Sequence, residues 1–196
     1  MSKNGSLIKK IWKFIWEDNS IWSWLVNVIL AFVIIKFVIY PVLGLILGTS
    51  YPLVAVVSGS MEHEGKFDDF WQQQNPIYLG FNITKEDFLK YAFKNGFKKG
   101  DIMVLAGKKA KDIQVGEVIV FQSSRQYPII HRVVKKWEEN GQIYFQTKGD
   151  HNLKSINETG LNELKVSSKD VVGIAKFRIP WIGNIKIKLF ELFGLE

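Results

Sequence analysis

The sequence predicts a mainly β protein, in which an N-terminal transmembrane helix precedes an all-β domain with a partly helical insertion and a short C-terminal helix. Three observations predict this: a long apolar run at 21–47, a series of short β-type runs after it, and a polar, aromatic-rich interval at about 63–99 that interrupts the series. With 196 residues and 47% hydrophobic content, the chain is large enough to bury a full core.

The apolar run at 21–47 is longer than the roughly 20 residues that a bilayer-spanning helix needs, and its one charged residue is Lys36. A cleavable signal peptide has an apolar region of only about 7–15 residues, so we expect this helix to be retained as an anchor. Four lysines precede the run, whereas residues 48–60 carry no positive charge. The positive-inside rule therefore puts residues 1–20 in the cytoplasm and residues 48–196 outside.

Beyond the anchor, runs of β-forming residues bounded by Gly, Asn, Asp or Ser predict strands at 53–57, 102–105, 118–121, 129–134, 142–147 and 171–177. In the insertion at 63–99, Thr84 and Asp87 form a capping box that predicts a helix of about 11 residues. We expect this insertion to be a surface excursion. Residues 182–195, behind Pro180, have the spacing of an amphipathic helix that is too short to span a membrane but could lie on one.

Composition excludes several classes of site. The chain has no cysteine, which rules out disulfides, thiol catalysis and thiolate metal ligands. Its net charge of +7 is spread along the chain without the dense basic stripe of a nucleic-acid surface, so no nucleic-acid partner is expected. A nucleophile must therefore be a hydroxyl, an amine or a carboxylate.

The run Ser58-Gly59-Ser60-Met61 follows the first predicted strand. A serine hydroxyl needs a base to accept its proton, and the carbonyl that it attacks needs donors aimed at the developing oxyanion. Ser60 is the candidate nucleophile and Ser58 the candidate oxyanion donor. Ser-Gly-Ser is also a common turn composition, and from these residues alone an ordinary turn is the better interpretation.

Two further residues supply candidate partners for a serine. In the predicted strand at 129–134, His131 points to the apolar side, where it is either a general base or a core histidine bonded to the backbone. Asp150 follows a strand and a Lys-Gly turn, where it either holds the imidazole in the right tautomer or bonds its own backbone. For each residue taken alone, the structural interpretation is favoured.

Ser60, His131 and Asp150 follow one another directly after an anchor, and the segments around them extend the pattern. The chain resembles the type I signal peptidases of the archaeal and endoplasmic-reticulum branch along its length, apart from the insertion. The matching segments are SGSM at 58–61, GDI at 100–102, VGEVIVF at 115–121, IHRVV at 130–134, KGD at 148–150 and GIAKFRIPWIG at 173–183.

The resemblance implies a signal-peptidase-like fold and a membrane-bound serine endopeptidase with no metal and no cofactor. It implies that Ser60 is the nucleophile, that His131 replaces the lysine base of the bacterial branch, that Asp150 is the acidic partner and that Ser58 assists the oxyanion. The implied substrates are signal peptides of secretory preproteins, cleaved on the outer side of an archaeal cell membrane or of the endoplasmic reticulum. Partner subunits are left open.

The chain departs from the family pattern at three places. His63 stands where a proline is usual, the insertion of about 35 residues after Glu64 has no counterpart in the compact family pattern, and Ser155 and Asn157 occupy the region of a second aspartate. The acidic partner is therefore the least firmly assigned residue of the site.

Three alternatives remain at this point. The chain could use lysine as its base, with Lys135 or Lys148 as candidates, or it could be an inactive membrane-tethered β module that binds signal peptides or partner subunits. A metal site made of His63, His131 and His151 is disfavoured, because no metal-binding spacing supports it.

Overall fold

The computed structural model describes residues 4–180, with side chains from residue 7 onward, and the predicted C-terminal helix at 182–195 lies outside the described residues. The chain divides into two compact units, Met1–Ile46 and Leu47–Glu196. The first is helical, and the second contains the sheet and the candidate site.

The N-terminal unit begins with helix α1, Asn4–Trp16, which the sequence analysis did not predict. After a short connection, Ser20 caps α2, Ile21–Ile34, by accepting a hydrogen bond from the backbone N–H of Ser23. A π-helical stretch, Ile35–Ile39, leads into α3, Tyr40–Leu47. Together they form one helix of 27 residues, which is long and apolar enough to cross a membrane, as predicted.

Pro41 gives a physical reason for the π-helical stretch. A proline inside a helix has no N–H to donate and clashes with the carbonyl of the residue four positions earlier. Just before Pro41, the Tyr40 N–H donates to the carbonyl of Ile35, a wider turn than in an α-helix. The extra residue in that turn moves the clashing carbonyl aside without breaking the helix.

The second unit is built on a seven-stranded antiparallel sheet in the order β1-β2-β9-β3-β4-β5-β8. Its strands are β1 Leu53–Ala55, β2 Ile102–Ala106, β3 Val118–Phe121, β4 Ile129–Glu139, β5 Gln142–Lys148, β8 Val166–Ser167 and β9 Val171–Ile179. A separate pair, β6 Asn157–Glu158 and β7 Leu161–Asn162, precedes β8. All six predicted strands are present, and the mainly β fold class is confirmed.

Both faces of the sheet are buried around β3. Val118 and Val120 belong to one hydrophobic cluster, and Ile119 and Phe121 belong to another. Because successive side chains of a strand point to opposite faces, these two clusters lie on opposite sides of the sheet. Residues 130–134 of the neighbouring strand β4 are accordingly all buried, whichever face they point to.

The insertion contains α4, Phe67–Gly80, and α5, Lys85–Lys90. The Thr84–Asp87 capping box is present as predicted, but α5 has six residues rather than about 11, because Tyr91 is already in an extended conformation. Helix α4 was not predicted, and it contains Pro76, a residue that argues against a helix interior.

The expectation that the insertion is a surface excursion is wrong. Its aromatic side chains form a third buried cluster together with Val134 of β4. The buried members are Phe70, Trp71, Tyr78, Ile83, Phe88 and Val134. The insertion is therefore part of the core, and it covers the strand that carries His131.

Candidate active site

Ser60 lies in the turn that follows β1. The backbone N–H of Glu62 donates to the carbonyl of Gly59 over 2.9 Å, which closes the turn, and the buried side chain of Met61 anchors it in the core. The carbonyl of Ser60 accepts a hydrogen bond of 2.9 Å from the backbone N–H of His151. The half-buried hydroxyl of Ser60 is thus fixed between this turn and the segment after β5.

His131 is buried in β4, directly opposite Ile119 of β3. Its Nε2 lies 2.8 Å from the hydroxyl oxygen of Ser60. A serine hydroxyl at this distance can transfer its proton to a neutral imidazole. The structure therefore brings together the two residues that the sequence pattern joined as nucleophile and base.

The other ring nitrogen of His131, Nδ1, forms a short hydrogen bond with Oε1 of Glu163. Glu163 is fully buried just after β7, and its oxygens also accept hydrogen bonds of 2.8 Å from the hydroxyl of Thr147 and from the N–H of Ile156. A carboxylate at Nδ1 favours the tautomer that carries its proton there, which leaves Nε2 as an acceptor facing Ser60. Glu163, His131 and Ser60 thus form a continuous chain of hydrogen bonds.

Ser58 lies beside the nucleophile, with 3.1 Å between the hydroxyl oxygens of Ser58 and Ser60. Its side chain is exposed, so an approaching carbonyl group could reach it. This position is compatible with the predicted oxyanion role, because the donor stands next to the atom that would attack.

Asp150 occupies a different site from the one that the resemblance implies. Its Oδ1 accepts hydrogen bonds from the Tyr78 hydroxyl (2.8 Å) and from Nε of Arg132 (2.9 Å). Its Oδ2 accepts one of 2.7 Å from Arg132 and lies 2.9 Å from Nε2 of His63. The carboxylate that contacts His131 is that of Glu163, and Asp150 instead neutralises Arg132.

The alternation of β4 explains this separation. His131 and Arg132 are adjacent, so their side chains leave the strand on opposite faces. Arg132 is fully buried, donates to the carbonyls of Ala92, Phe93 and Gly116, and lies 4.7 Å from the ring centre of Phe88. The backbone at Gly149 reaches Ser60 and His131, whereas the carboxylate of Asp150 lies on the side of Arg132.

Asp150 and Arg132 form a buried pair of opposite charges, and each changes the pKa of the other. Burial alone would raise the pKa of Asp150, but the charge of Arg132 and the hydrogen bonds from His63 and Arg132 hold that pKa well below its ordinary value. Burial would lower the pKa of Arg132, and Asp150 raises it instead. Burial and the charge of Asp150 raise the pKa of Tyr78, which stays a hydroxyl donor. Asp150 and Arg132 are therefore both ionised, and their opposite charges neutralise each other.

No protein-family model matches the chain. The signal peptidase complex catalytic subunit SEC11C of Homo sapiens is 32% identical over 145 residues, which cover 71% of this chain and 58% of the relative, and that of Mus musculus gives the same figures. Catalytic subunit SEC11 of Yarrowia lipolytica is 29% identical over 161 residues, covering 80% and 73%.

The chain belongs to the type I signal peptidase family. The resemblance read from its motifs is thus confirmed. The chain spans less than two thirds of the length of the SEC11C relatives.

Lysine is the alternative base, and within the described residues neither candidate lysine forms a hydrogen bond with the hydroxyl of Ser60. Lys135 is exposed, 5.8 Å from the ring centre of Trp137. Lys148 is buried, and its ammonium group donates to Gln74 and to the carbonyls of Gly149, Asp150 and Asn152. Burial lowers the pKa of Lys148 to about 8. The hydrogen bonds of Lys148 therefore fix the turn after β5, whereas His131 is the residue that contacts the hydroxyl of Ser60.

The family's KGD segment, Lys148 to Asp150, contributes its backbone to the site. A Cβ added to Gly149 would lie 2.7 Å from the carbonyl oxygen of Ser60 and 2.9 Å from Nε2 of His131. Such distances are shorter than van der Waals contact, so only glycine allows the turn to pass this close to the Ser60–His131 pair.

The sequence pattern does not indicate Glu163, because the family's second acid is expected near Ser155 and Asn157. The intervening residues form the β6–β7 pair, after which the N–H of Thr147 donates to the carbonyl of Glu163. This return brings a distant carboxylate beside β5. The available signal was weak: Glu163 is the second glutamate after Asp150 and sits between the apolar residues Leu161 and Leu164.

The three histidines do not converge. His63 contacts Asp150 and stacks on Phe70 with 3.5 Å between ring centres, His131 contacts Ser60, and the side chain of His151 is exposed. Within residues 4–180 there is no group of three or more His, Cys, Asp or Glu residues placed to hold a metal ion.

Proposed function

We propose that this protein is a membrane-bound serine endopeptidase that removes signal peptides from secretory preproteins. The observation that carries the proposal is the distance of 2.8 Å between the Ser60 hydroxyl and Nε2 of His131, with Nδ1 of the same ring bonded to the buried carboxylate of Glu163. The names of the relatives, which are catalytic subunits of a signal peptidase complex, support the same reaction.

In the proposed mechanism, His131 accepts the hydroxyl proton of Ser60 as the oxygen attacks the scissile carbonyl. Glu163 holds the ring in its reactive tautomer and stabilises the imidazolium that forms. His131 then donates its proton to the leaving amine, which departs and leaves an acyl ester on Ser60. A water molecule, deprotonated by His131, hydrolyses the ester and regenerates the free serine.

The tetrahedral intermediate needs donors at its oxyanion. The hydroxyl of Ser58, 3.1 Å from that of Ser60, and the backbone N–H of Ser60 are the proposed donors. In this mechanism Asp150 is a positioning residue. With Arg132 it fixes the turn whose Gly149 lies against His131 and Ser60.

The edge of the sheet offers a place for an extended substrate. In the described sheet β1, which leads to Ser60, has a neighbouring strand on one side only. A peptide can add to such an edge through backbone hydrogen bonds, with small side chains entering shallow pockets. The small residues before a signal-peptide cleavage site fit this mode of binding.

The proposed location is a membrane of the secretory route, either an archaeal cell membrane or that of the endoplasmic reticulum. The helix Ile21–Leu47 would be the single anchor, with residues 1–20 cytoplasmic and residues 48–196 on the outer side. Because the relatives are named as subunits of a complex, we also propose that this chain works with partner subunits.

Replacing the nucleophile and the base tests the proposal. We expect Ser60→Ala and His131→Ala each to lower the rate of cleavage of a model preprotein in detergent by at least about 10³-fold, since loss of either residue disables proton transfer and attack. Ser124→Ala, at an exposed serine in the same unit, is the matched control and should cleave normally. Undiminished cleavage by either active-site variant would exclude this mechanism.

A further inference from the structure

Helix α1 has an apolar face and a basic face. At 3.6 residues per turn, its large apolar side chains fall on one half of the helix and its lysines on the other. The apolar half contains Leu7, Ile8, Ile11, Trp12, Phe14, Ile15 and Trp16, and the basic half contains Lys9, Lys10 and Lys13. The two acidic residues nearby, Glu17 and Asp18, follow the helix and do not interrupt its basic half.

Five of the seven large apolar side chains of α1 are exposed within the N-terminal unit, and the other two, Phe14 and Ile15, are half-buried. Ile11 is 51% exposed, and Leu7, Ile8, Trp12 and Trp16 are 62–69% exposed. Trp12 and Trp16 lie one turn apart with 5.6 Å between ring centres. Single exposed apolar residues are ordinary, but a continuous row of this kind marks a surface that another phase or molecule covers.

The end of α1 is fixed to the start of the candidate membrane span. The Ser23 hydroxyl donates to the carbonyl of Phe14 over 2.6 Å, and the Asn27 side chain donates to the carbonyl of Ile15 over 2.9 Å. The span begins at Ile21, and its 27 residues measure about 40 Å, close to the full thickness of a bilayer with its headgroups. The end of α1 is thereby held at one end of the span, where lipid meets water.

We propose that α1 lies in the membrane interface, with its apolar half in the boundary between headgroups and acyl chains and its lysines on anionic phospholipid headgroups. Charge complementarity favours lipid as the occupant, because the lysines adjoin the apolar half of the helix, at the depth of the phosphates. The exposed Trp12 and Trp16 have the ring chemistry that prefers this depth. The proposal rests on the membrane anchor and is independent of the catalytic assignment.

An interfacial α1 would have a mechanical consequence for the enzyme. A helix that lies in the plane of the membrane and is hydrogen-bonded to the span resists sliding of the span along the bilayer normal. The depth of the anchor would then be set by α1 as well as by hydrophobic matching.

The absence of cysteine allows a direct test by single nitroxide labels in the full chain. The chain is reconstituted in vesicles of phosphatidylcholine with phosphatidylglycerol, and in phosphatidylcholine alone. Labels are placed through Ile8→Cys and Ile11→Cys on the apolar half, and through Lys10→Cys and Lys13→Cys on the basic half. Collision with oxygen, which concentrates in lipid, is compared with collision with a water-soluble nickel chelate. A label at Val33→Cys, inside the span, reports on the anchor itself.

We expect the ratio of oxygen to nickel collision to be several-fold higher at Ile8 and Ile11 than at Lys10 and Lys13, with the contrast larger when phosphatidylglycerol is present. Equal nickel access at all four positions would show a solvated helix and overturn the proposal. Exclusion of both reagents at Ile8 and Ile11 would show a protein partner instead of lipid. An unchanged contrast without anionic lipid would refute the headgroup contact.

Failure of the anchor gives a different result. If the Val33→Cys label is open to the nickel chelate, the span itself is wrong and α1 has no membrane to lie on. If that label is protected while those on α1 are solvated, the inference on α1 alone fails.

Discussion

Two adjacent residues of β4, His131 and Arg132, belong to two different buried polar clusters. One ring nitrogen of His131 contacts Glu163 and the other contacts Ser60. Because Ser60 is only half-buried, a substrate can reach this cluster there. Arg132 leads to Asp150, and both side chains are completely enclosed under the insertion. The geometry of the first cluster is suited to the proposed proton transfer, and the second cluster pairs buried charges.

A carboxylate's place in a motif therefore does not decide its role. Asp150 is in the segment that characterises the family, yet its four hydrogen bonds are used on Arg132, Tyr78 and His63. Glu163 lies outside every recognised segment and contacts His131.

Glu163→Gln should lower the rate of cleavage by about 10³–10⁴-fold, because a neutral amide does not hold the reactive tautomer or stabilise the imidazolium. The free energy of unfolding should fall by about 1–3 kcal/mol, because the amide oxygen can accept from Thr147 or from Ile156 but not from both, which leaves one buried donor unpaired. Glu158→Gln, at a neighbouring exposed glutamate, is the control for removal of a charge. Full activity in Glu163→Gln would move the acidic role back to Asp150.

Asp150→Ala should act on stability, lowering the free energy of unfolding by about 3–5 kcal/mol because it leaves the Arg132 charge buried and unpaired. Breaking the exposed Arg125–Glu158 pair by Glu158→Gln should cost less than about 1 kcal/mol. Denaturant unfolding measures both. Equal, small losses would mean that Arg132 finds solvent or another partner.

The same cluster has a defined pH dependence. Because the pKa of Asp150 is lowered in the folded protein from 3.8, the unfolded chain binds more protons at low pH. The contribution of Asp150 to stability should be complete above about pH 4 and decline as the pH falls below it. The stability difference between the wild type and Asp150→Asn should narrow over that range, and a constant difference would contradict the assigned ion pair.

Gly149→Ala tests whether the turn next to Asp150 controls the geometry of the catalytic cluster. The new methyl group would overlap the Ser60 carbonyl and the imidazole of His131, and a displacement of about 1 Å would lower the rate of cleavage by about 10²-fold. Gly80→Ala is the control, because its added methyl group meets no atom within 4 Å. Activity equal to that of the control would show that the turn yields without moving the pair.

Tyr78→Phe should have the smallest effect, because it removes one of the four hydrogen bonds to Asp150 and leaves the ring packed. We expect a loss of about 1.5–3 kcal/mol of unfolding free energy, the range for a hydrogen bond to a charged group. Tyr127→Phe, at an exposed tyrosine, is the matched control. Equal stability of the two variants would mean that the insertion contributes only packing to the Asp150 cluster.

The parts of the fold that the sequence predicted depend on local patterns. The six long strands have β-forming runs bounded by turn residues, the span has continuous apolar composition, and Thr84 with Asp87 marks a helix start within four residues. The two-residue strands β6, β7 and β8 are too short to show any alternation. Helix α4 was missed because Pro76 lies inside it.

In the candidate site, too, the sequence indicates some residues and not others. Ser60 and His131 could be identified because each lies in a segment with its own signal and their order matches the family. The partner of His131 depends on which side of β4 each carboxylate reaches, which is set by the return of the chain through β6 and β7. No local pattern encodes that return. The sequence therefore indicates Asp150 as the partner of His131, although Glu163 makes the contact.

Proton NMR detects whether Glu163 holds the N–H of His131 in position for Ser60. With only three histidines in the chain, ¹⁵N-histidine labelling resolves their ring N–H signals, and loss of a signal in His131→Ala assigns it. We expect a strongly downfield Nδ1–H signal from His131 that disappears in Glu163→Gln and persists in Glu158→Gln. A downfield signal that survives Glu163→Gln would show that Glu163 does not hold the N–H of His131.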